Sequence, residues 1–119
     1  MLKVKVSFYK ETIAIIELTG DLTVFEKDFD LFSKEMMAYM KMGIFKFILN
    51  LQYLNYIDSS GVGVLLRMAS VAARNNTKLC ILCDKPNIQK VLSISKVDFF
   101  SKQIKEICEG IKFFESTSD

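Results

Sequence analysis

Two short, almost entirely apolar segments constrain the fold more than any other feature of the sequence. Residues 44–51 read IFKFILNL and residues 78–83 read KLCILC, and each is flanked by segments with helical periodicity. Strands that are apolar on both faces are typical of parallel sheets, whose faces are covered by helices. Because parallel strands need a crossover connection, which is usually a helix, this alternation predicts βαβ units and a mainly parallel sheet.

The N-terminal third of the chain predicts a hairpin followed by a helix. Residues 2–8 alternate apolar and polar side chains, which is typical of a half-exposed edge strand. Residues 13–18 are more continuously apolar and complete the hairpin, which is expected to end at Gly20 and Asp21. A helix is predicted over residues 24–42. Its buried face is expected to carry Phe25, Phe29, Phe32, Met36 and Met40.

Further helices alternate with the apolar strands in the rest of the chain. A second helix is predicted over residues 62–75, a third from about Pro86, and a fourth over residues 105–114 after a short strand. The expected fold is one α/β domain at residues 1–115, with a disordered tail at residues 116–119. Its central sheet is expected to be mainly parallel, with four to five strands, an N-terminal edge hairpin and about four helices.

Composition excludes several functional classes. The chain has no histidine, so it cannot build a Ser-His-Asp triad, a Cys-His dyad or a His-based metal site. The net charge is only +2, and the basic residues are spread along the chain rather than gathered on a nucleic-acid-binding face. No segment approaches the roughly 18–20 apolar residues of a membrane span. These features favour a cytoplasmic, non-enzymatic protein with no cofactor, no direct nucleic-acid contact and no membrane insertion.

The cysteines at positions 80 and 83 form a Cys-x-x-Cys motif, which in other contexts is redox-active or binds zinc. Here the motif falls within a predicted strand, where residues three apart point to opposite faces. The two thiols are therefore expected to be buried, structural and unable to share a metal or form a disulfide.

The segment YIDSSGVGVLLRM, residues 56–68, places Asp58, Ser59 and Ser60 before a helix. Such residues are favoured N-caps, because their side-chain oxygens accept the free N–H groups of the first turn. A hydroxyl at this position is also a suitable phosphate acceptor, since the helix N-terminus stabilises negative charge. Both interpretations stay open on the residues alone. A catalytic serine is disfavoured, because no histidine base is present.

The stretch LNLQYLNYIDSSGVGVLLRMASVA, residues 49–72, resembles the signature of the STAS-domain anti-sigma factor antagonists. IIELTGDLT, residues 15–23, resembles the second strand and Leu-x-Gly-x-Leu turn of that family. LCILCDKPNIQKVLSISKVDFF, residues 79–100, resembles its last buried strand and the following helix.

The resemblance implies a STAS fold and a partner switch. Family members of this type bind a cytosolic anti-sigma factor that is also a serine kinase, and so release the sigma factor. The kinase inactivates them by phosphorylating a serine, and a PP2C-type phosphatase reverses the modification. Carried over, the acceptor is Ser59; Asp58 orients the loop, Ser60 caps the helix and Gly61 allows close approach of the kinase. The partner-binding residues implied are Asp21, Thr23, Asp58, Ser59, Ser60, Gly61, Val62 and Gly63.

The sequence departs from the family pattern in one place near the site. Many members carry an aspartate shortly after the turn of the second strand, where this chain has Thr23, and Asp21 lies inside the turn instead. The alternative function keeps the STAS fold without the switch. The protein would then be a scaffold in a stress-signalling complex or an accessory subunit of a lipid-transport ATPase.

Overall fold

In the computed structural model, which describes residues 1–116, five strands form one sheet in sequence order. The strands are β1 (Leu2–Tyr9), β2 (Ile13–Leu22), β3 (Lys46–Ile57), β4 (Leu79–Leu82) and β5 (Ser101–Ile104). The pair β1–β2 is antiparallel, and every other neighbouring pair is parallel. The predicted mainly parallel sheet with an N-terminal edge hairpin is therefore confirmed.

Four helices cover this sheet. They are α1 (Phe29–Lys41), α2 (Ser59–Arg74), α3 (Pro86–Ile94) and α4 (Ile107–Ser116), and a 3-10 turn (Asp98–Phe100) precedes β5. Apolar residues of α1, α2 and α3 form one buried cluster on one face of the sheet, while Phe114 of α4 belongs to a second cluster on the other face. Helix α4 includes Ser116 of the predicted tail, and residues 117–119 lie outside the described residues.

The central strands contribute to both clusters, as their continuous apolar pattern predicts. Leu49 of β3 and Ile81 of β4 belong to the cluster under α1–α3, whereas Ile48 and Cys80 belong to the cluster under α4. Cys83, directly after β4, joins the first cluster. The Cys80 and Cys83 thiols are both buried, form no disulfide and lie on opposite faces of the sheet. The structure thus agrees with the structural interpretation of the Cys-x-x-Cys motif.

Helix α1 begins later than its sequence periodicity predicts. It starts at Phe29, and residues 24–28 instead form successive turns in which the Glu26 amide donates to the Thr23 carbonyl and the Phe29 amide to that of Glu26. Phe25, expected on the buried helix face, is 92% exposed. The prediction for Phe25 was wrong, because the backbone before it is bound by a residue distant in sequence, as described below.

Strands β2 and β3 both extend further than the sequence predicts, and this brings their ends together. Strand β2 continues through Gly20 and Asp21 to Leu22, with a break in register beside Gly20. Gly20 has φ of +100°, and a Cβ there would overlap the Met1 carbonyl oxygen, so only glycine fits. Strand β3 continues past Leu51 to Ile57, pairing Leu22 with Ile57. No turn or loop separates β3 from α2 except Asp58.

Candidate functional site at the start of the second helix

Asp58 is the one-residue connection between β3 and α2, and it holds three structural elements together. Its backbone is extended, and its Oδ1 accepts a hydrogen bond from the Gly61 amide at 2.9 Å, which caps the helix. Its Oδ2 accepts from the Val24 amide at 3.0 Å, and its own N–H donates to the Leu22 carbonyl at 3.2 Å. One side chain therefore fixes both the helix start and the loop after β2.

Ser59 and Ser60 are the first two residues of α2 rather than part of a preceding loop. Ser59 is exposed and Ser60 is half-buried. The expectation that Ser60 caps the helix was wrong, because Asp58 occupies the cap position. Since the first N–H groups of a helix have no intrahelical acceptor, the Ser59 hydroxyl lies beside donors that favour an anion.

Gly61 and Val62 lie beneath the surface. Val62 is only 7% exposed, and Gly61 is buried. A Cβ on Gly61 would lie 2.6 Å from the Leu22 carbonyl oxygen and 2.9 Å from Cγ1 of Ile57. Gly61 therefore allows the helix to approach the strand ends closely; close approach of a kinase at Gly61 stays a prediction. Gly63, by contrast, is exposed, and nothing lies within 4 Å of an added Cβ.

The two residues predicted from the β2 turn reach the same edge of the sheet. Asp21 pairs in register with Tyr56 of β3 and is half-buried. Thr23 is 8% exposed and lies between Leu22 and Val24, both of which hydrogen-bond to Asp58. The structure thus brings all the sequence-predicted residues to one end of the sheet, but it leaves Thr23 below the surface.

Three exposed apolar side chains flank this site, and the sequence reasoning did not include them. Val24 is bound through its amide to Asp58, Phe25 follows it, and Tyr56 lies two residues before Asp58 with 57% of its surface exposed. Tyr56 had a local signal, as an aromatic residue two positions before the Asp-Ser-Ser segment. Val24 and Phe25 had none, because their position depends on a hydrogen bond that spans 34 residues.

A groove between α1 and α2 opens beside Ser60 and Gly63. It has a volume of about 180 Å³ and is also lined by Phe29, Met37 and Arg67. The Arg67 guanidinium donates to the Met37 sulfur at 2.9 Å, which holds both long side chains against the groove. The surface beside Ser59 is therefore partly apolar and partly basic on its α1 side.

Within residues 1–116, no group of three or more His, Cys, Asp or Glu side chains is placed to hold a metal ion. The side chains whose pKa is shifted lie elsewhere in the molecule. Burial raises the pKa of the Cys80 thiol to about 12 and also raises that of Cys83. Burial, with the Tyr39 hydroxyl donating to Glu35 at 2.7 Å, raises the pKa of Tyr39 to about 12.

The fold and the site define the class of protein: a small α/β domain that presents a serine on a capped helix at the carboxyl end of a parallel strand. The chain belongs to the STAS domain family, whose sequence pattern it matches over residues 7–118. The predicted family membership is thereby confirmed. In the part of the chain that the structure describes, no helix has the length and apolar character needed to cross a membrane.

Solved structures of anti-sigma factor antagonists share this fold. One from Mycobacterium paratuberculosis has a TM-score of 0.78 and 9% identity, over 94% of this chain and 92% of that chain. SpoIIAA in its unphosphorylated form has a TM-score of 0.74 and 18% identity, over 98% of this chain and 100% of that one. The Bacillus cell fate determinant SpoIIAA in the phosphorylated form has a TM-score of 0.72 and 20% identity, over 92% of this chain and 97% of that chain. At sequence identities of 9–20%, these comparisons show similarity of the fold alone.

Proposed function

We propose that this protein is a cytoplasmic anti-sigma factor antagonist that is switched by phosphorylation of Ser59. In the unphosphorylated state it binds an anti-sigma factor that is also a serine kinase, and so releases a sigma factor. The kinase inactivates it by phosphorylating Ser59, and a PP2C-type phosphatase restores it. The protein is then the substrate of an enzyme and has no catalytic activity of its own.

The observation that carries this proposal is the way Asp58 presents Ser59. Asp58 fixes the first turn of α2 through Gly61 and the β2–α1 loop through Val24. Ser59 follows it directly as the exposed first residue of α2, and the helix groove lined by Ser60 and Gly63 opens next to it. A kinase needs an accessible hydroxyl, and a binding partner needs an ordered surface around it. Both requirements are met at this position.

The proposed partner surface contains only some of the residues predicted from the sequence. Ser59, Ser60 and Gly63 form its polar centre, and Val24, Phe25 and Tyr56 supply apolar contacts. Aromatic residues such as Phe25 and Tyr56 are enriched at protein–protein interfaces, which favours this surface as a binding site. The other members of the predicted set are buried or half-buried and contribute by holding the surface in place; they are Asp21, Thr23, Asp58, Gly61 and Val62.

Phosphorylation at Ser59 would affect binding far more than folding. A phosphate adds about −1.5 to −2 charges near neutral pH, and the free N–H groups and dipole of a helix N-terminus stabilise such a charge. At the centre of an interface the same dianion must be desolvated and meets whatever anionic groups the partner carries. A loss of about 3 kcal/mol in binding free energy lowers affinity more than a hundredfold.

The first test is phosphopeptide mass spectrometry on the protein isolated from its own cells, growing and stressed. We expect phosphate on Ser59, with an occupancy that changes between conditions. In parallel, the kinase captured by the wild-type protein is titrated against three variants. Ser59→Ala is expected to bind as the wild type does, Ser59→Asp about a hundredfold more weakly. Ser70→Asp adds the same charge to an exposed position of the same helix and is expected to bind normally.

Equal binding by Ser59→Ala and Ser59→Asp would refute the switch. Together with no phosphate under any condition, it would favour the non-switching alternative. The protein would then act as a scaffold in a stress-signalling complex or as an accessory subunit of a lipid-transport ATPase, and the residues around Ser59 would serve to begin the helix.

A further inference from the structure

A second cavity lies at the opposite end of the parallel sheet from Ser59. It has a volume of about 690 Å³ and is bounded by the end of α2, the start of β4, the 3-10 turn, β5 and α4. Its lining includes Thr77, Lys78, Phe99, Phe100, Lys102 and Phe113. Lys78 directly precedes β4 and Ser101 begins β5, whereas Ser59 follows the end of β3. Because these strands are parallel, the two sites are at opposite ends of the sheet.

Phenyl rings form the apolar walls of this cavity. Phe99 and Phe100 lie in the 3-10 turn with their ring centroids 4.9 Å apart and their planes at 90°. Their exposures are 73% and 46%, so the fold holds two aromatic side chains in contact with water. Such exposure is unfavourable for large apolar groups and marks sites where another molecule can cover them. Phe113 of α4 closes the cavity on the other side.

Two ammonium groups line the same cavity, and among residues 1–116 no carboxylate does. Lys78 is exposed, and Lys102 Nζ lies 5.5 Å from the centroid of the Phe113 ring. The remaining polar lining consists of uncharged hydroxyl and amide side chains, including those of Asn76 and Gln103. The cavity is therefore electropositive where it is not aromatic.

One buried hydroxyl group in this part of the fold also lacks a hydrogen-bond partner. Within the described residues, Thr77 Oγ1 is the one buried side-chain oxygen or nitrogen atom without a hydrogen-bond partner. Buried polar atoms are usually paired, and an exception calls for an explanation. Thr77 is one of the residues that line the cavity, so this unpaired hydroxyl group lies next to it.

We propose that this cavity, with its three phenylalanine rings beside Lys78 and Lys102, binds a small planar aromatic anion such as an aryl carboxylate. The rings accept the flat face or edge of the ligand by offset or edge-to-face stacking. The lysines recognise its negative charge as point cations. The volume is in the range of about 300–1,000 Å³ that small-molecule pockets occupy. The proposal goes beyond the function proposed at Ser59 and does not depend on it.

The test is a ¹H–¹⁵N NMR titration with naphthalene-2-carboxylate as the probe. Two comparators separate the contributions: naphthalene-2-methanol keeps the rings without the charge, and cyclohexanecarboxylate keeps the charge without aromaticity. We expect saturable shifts at residues 77–78 and 99–103, with a Kd of about 1 mM or lower, as for a fragment-sized ligand. Each comparator is expected to bind about three- to tenfold more weakly, because it lacks either the ion pairs with the lysines or the aromatic stacking.

Matched variants assign the binding to named side chains. Phe99→Ala is expected to weaken binding of the probe about tenfold, because it removes an aromatic wall of the cavity. Lys78→Gln is expected to weaken it about threefold, because it removes an exposed charge. Tyr53→Ala and Lys3→Gln remove an exposed ring and an exposed charge elsewhere and are expected to bind the probe normally. Unchanged resonances from the rest of the protein show that each variant is folded.

Several results would overturn the proposal. These are the absence of saturable shifts, shifts scattered over the surface, and equal binding of all three compounds. A fourth is that the same resonances move with protein concentration alone, in which case the aromatic face is a contact between copies of the chain. None of these results affects the Ser59 variants, so the two proposals fail separately.

Discussion

Replacing Asp58 by alanine tests the central feature of the site, because one carboxylate serves two segments. Its Oδ1 caps α2 through the Gly61 amide, and its Oδ2 holds the loop after β2 through the Val24 amide. Asp58→Ala removes both hydrogen bonds and keeps the backbone N–H donation to Leu22. The variant should therefore destabilise the fold and release Val24 and Phe25 from their fixed position.

The magnitude follows from the two bonds. Loss of an N-cap side chain costs about 1 kcal/mol in free energy of unfolding, within a range of roughly 0.5–2. Loss of the bond to Val24 costs about 1 kcal/mol more, since this bond is close to solvent. We expect Asp58→Ala to lose about 2 kcal/mol in total. Asparagine is as good an N-cap as aspartate but has only one acceptor oxygen, so Asp58→Asn should lose about 1 kcal/mol.

Urea unfolding followed by circular dichroism, with a common m value, measures these differences. Asp28→Ala is the matched control, because Asp28 occupies the N-cap position of α1 but makes no capping hydrogen bond with its side chain. It should change the free energy of unfolding by less than about 0.5 kcal/mol. If Asp58→Ala is no less stable than Asp28→Ala, or equals Asp58→Asn, the two-bond account of Asp58 is refuted.

Two further predictions concern packing and thiol chemistry. Gly61→Ala should lower the free energy of unfolding by about 1–3 kcal/mol, because its Cβ would meet the Leu22 backbone. Gly63→Ala should raise it by up to about 1 kcal/mol, because nothing lies near an added Cβ there. Equal urea midpoints for the two variants would contradict this packing of Gly61. A thiol reagent should modify exposed Cys108 first and reach Cys80 and Cys83 only on unfolding; fast labelling of all three would contradict their burial. Because burial raises the Cys80 pKa from 9.0 to about 12, its contribution to stability is complete below 9.0 and is lost as the pH rises towards 12. Cys80→Ala should make the urea midpoint less sensitive to alkaline pH, and an unchanged pH dependence would argue against this thiol as its source.

Local patterns in the sequence were sufficient for the architecture. The apolar runs that became β3 and β4 and the alternating β1 could be recognised because side-chain periodicity follows backbone geometry directly. The same patterns gave the edge hairpin and the burial of Cys80 and Cys83 on opposite faces. They were less reliable at boundaries: α1 was predicted to begin five residues early, at position 24 instead of Phe29. Periodicity cannot detect a loop whose amide is bound by a distant carboxylate.

The sequence by itself determined that this is a STAS domain with Asp58, Ser59 and Ser60 at the start of a helix, because motif and periodicity are local properties. Only the tertiary structure decided what those residues contact. It gave the cap to Asp58 rather than Ser60, placed Gly61 against the strand ends and exposed Phe25 beside the site. Each of these outcomes depends on β2 and β3 ending side by side, and thus on contacts between segments far apart in the chain.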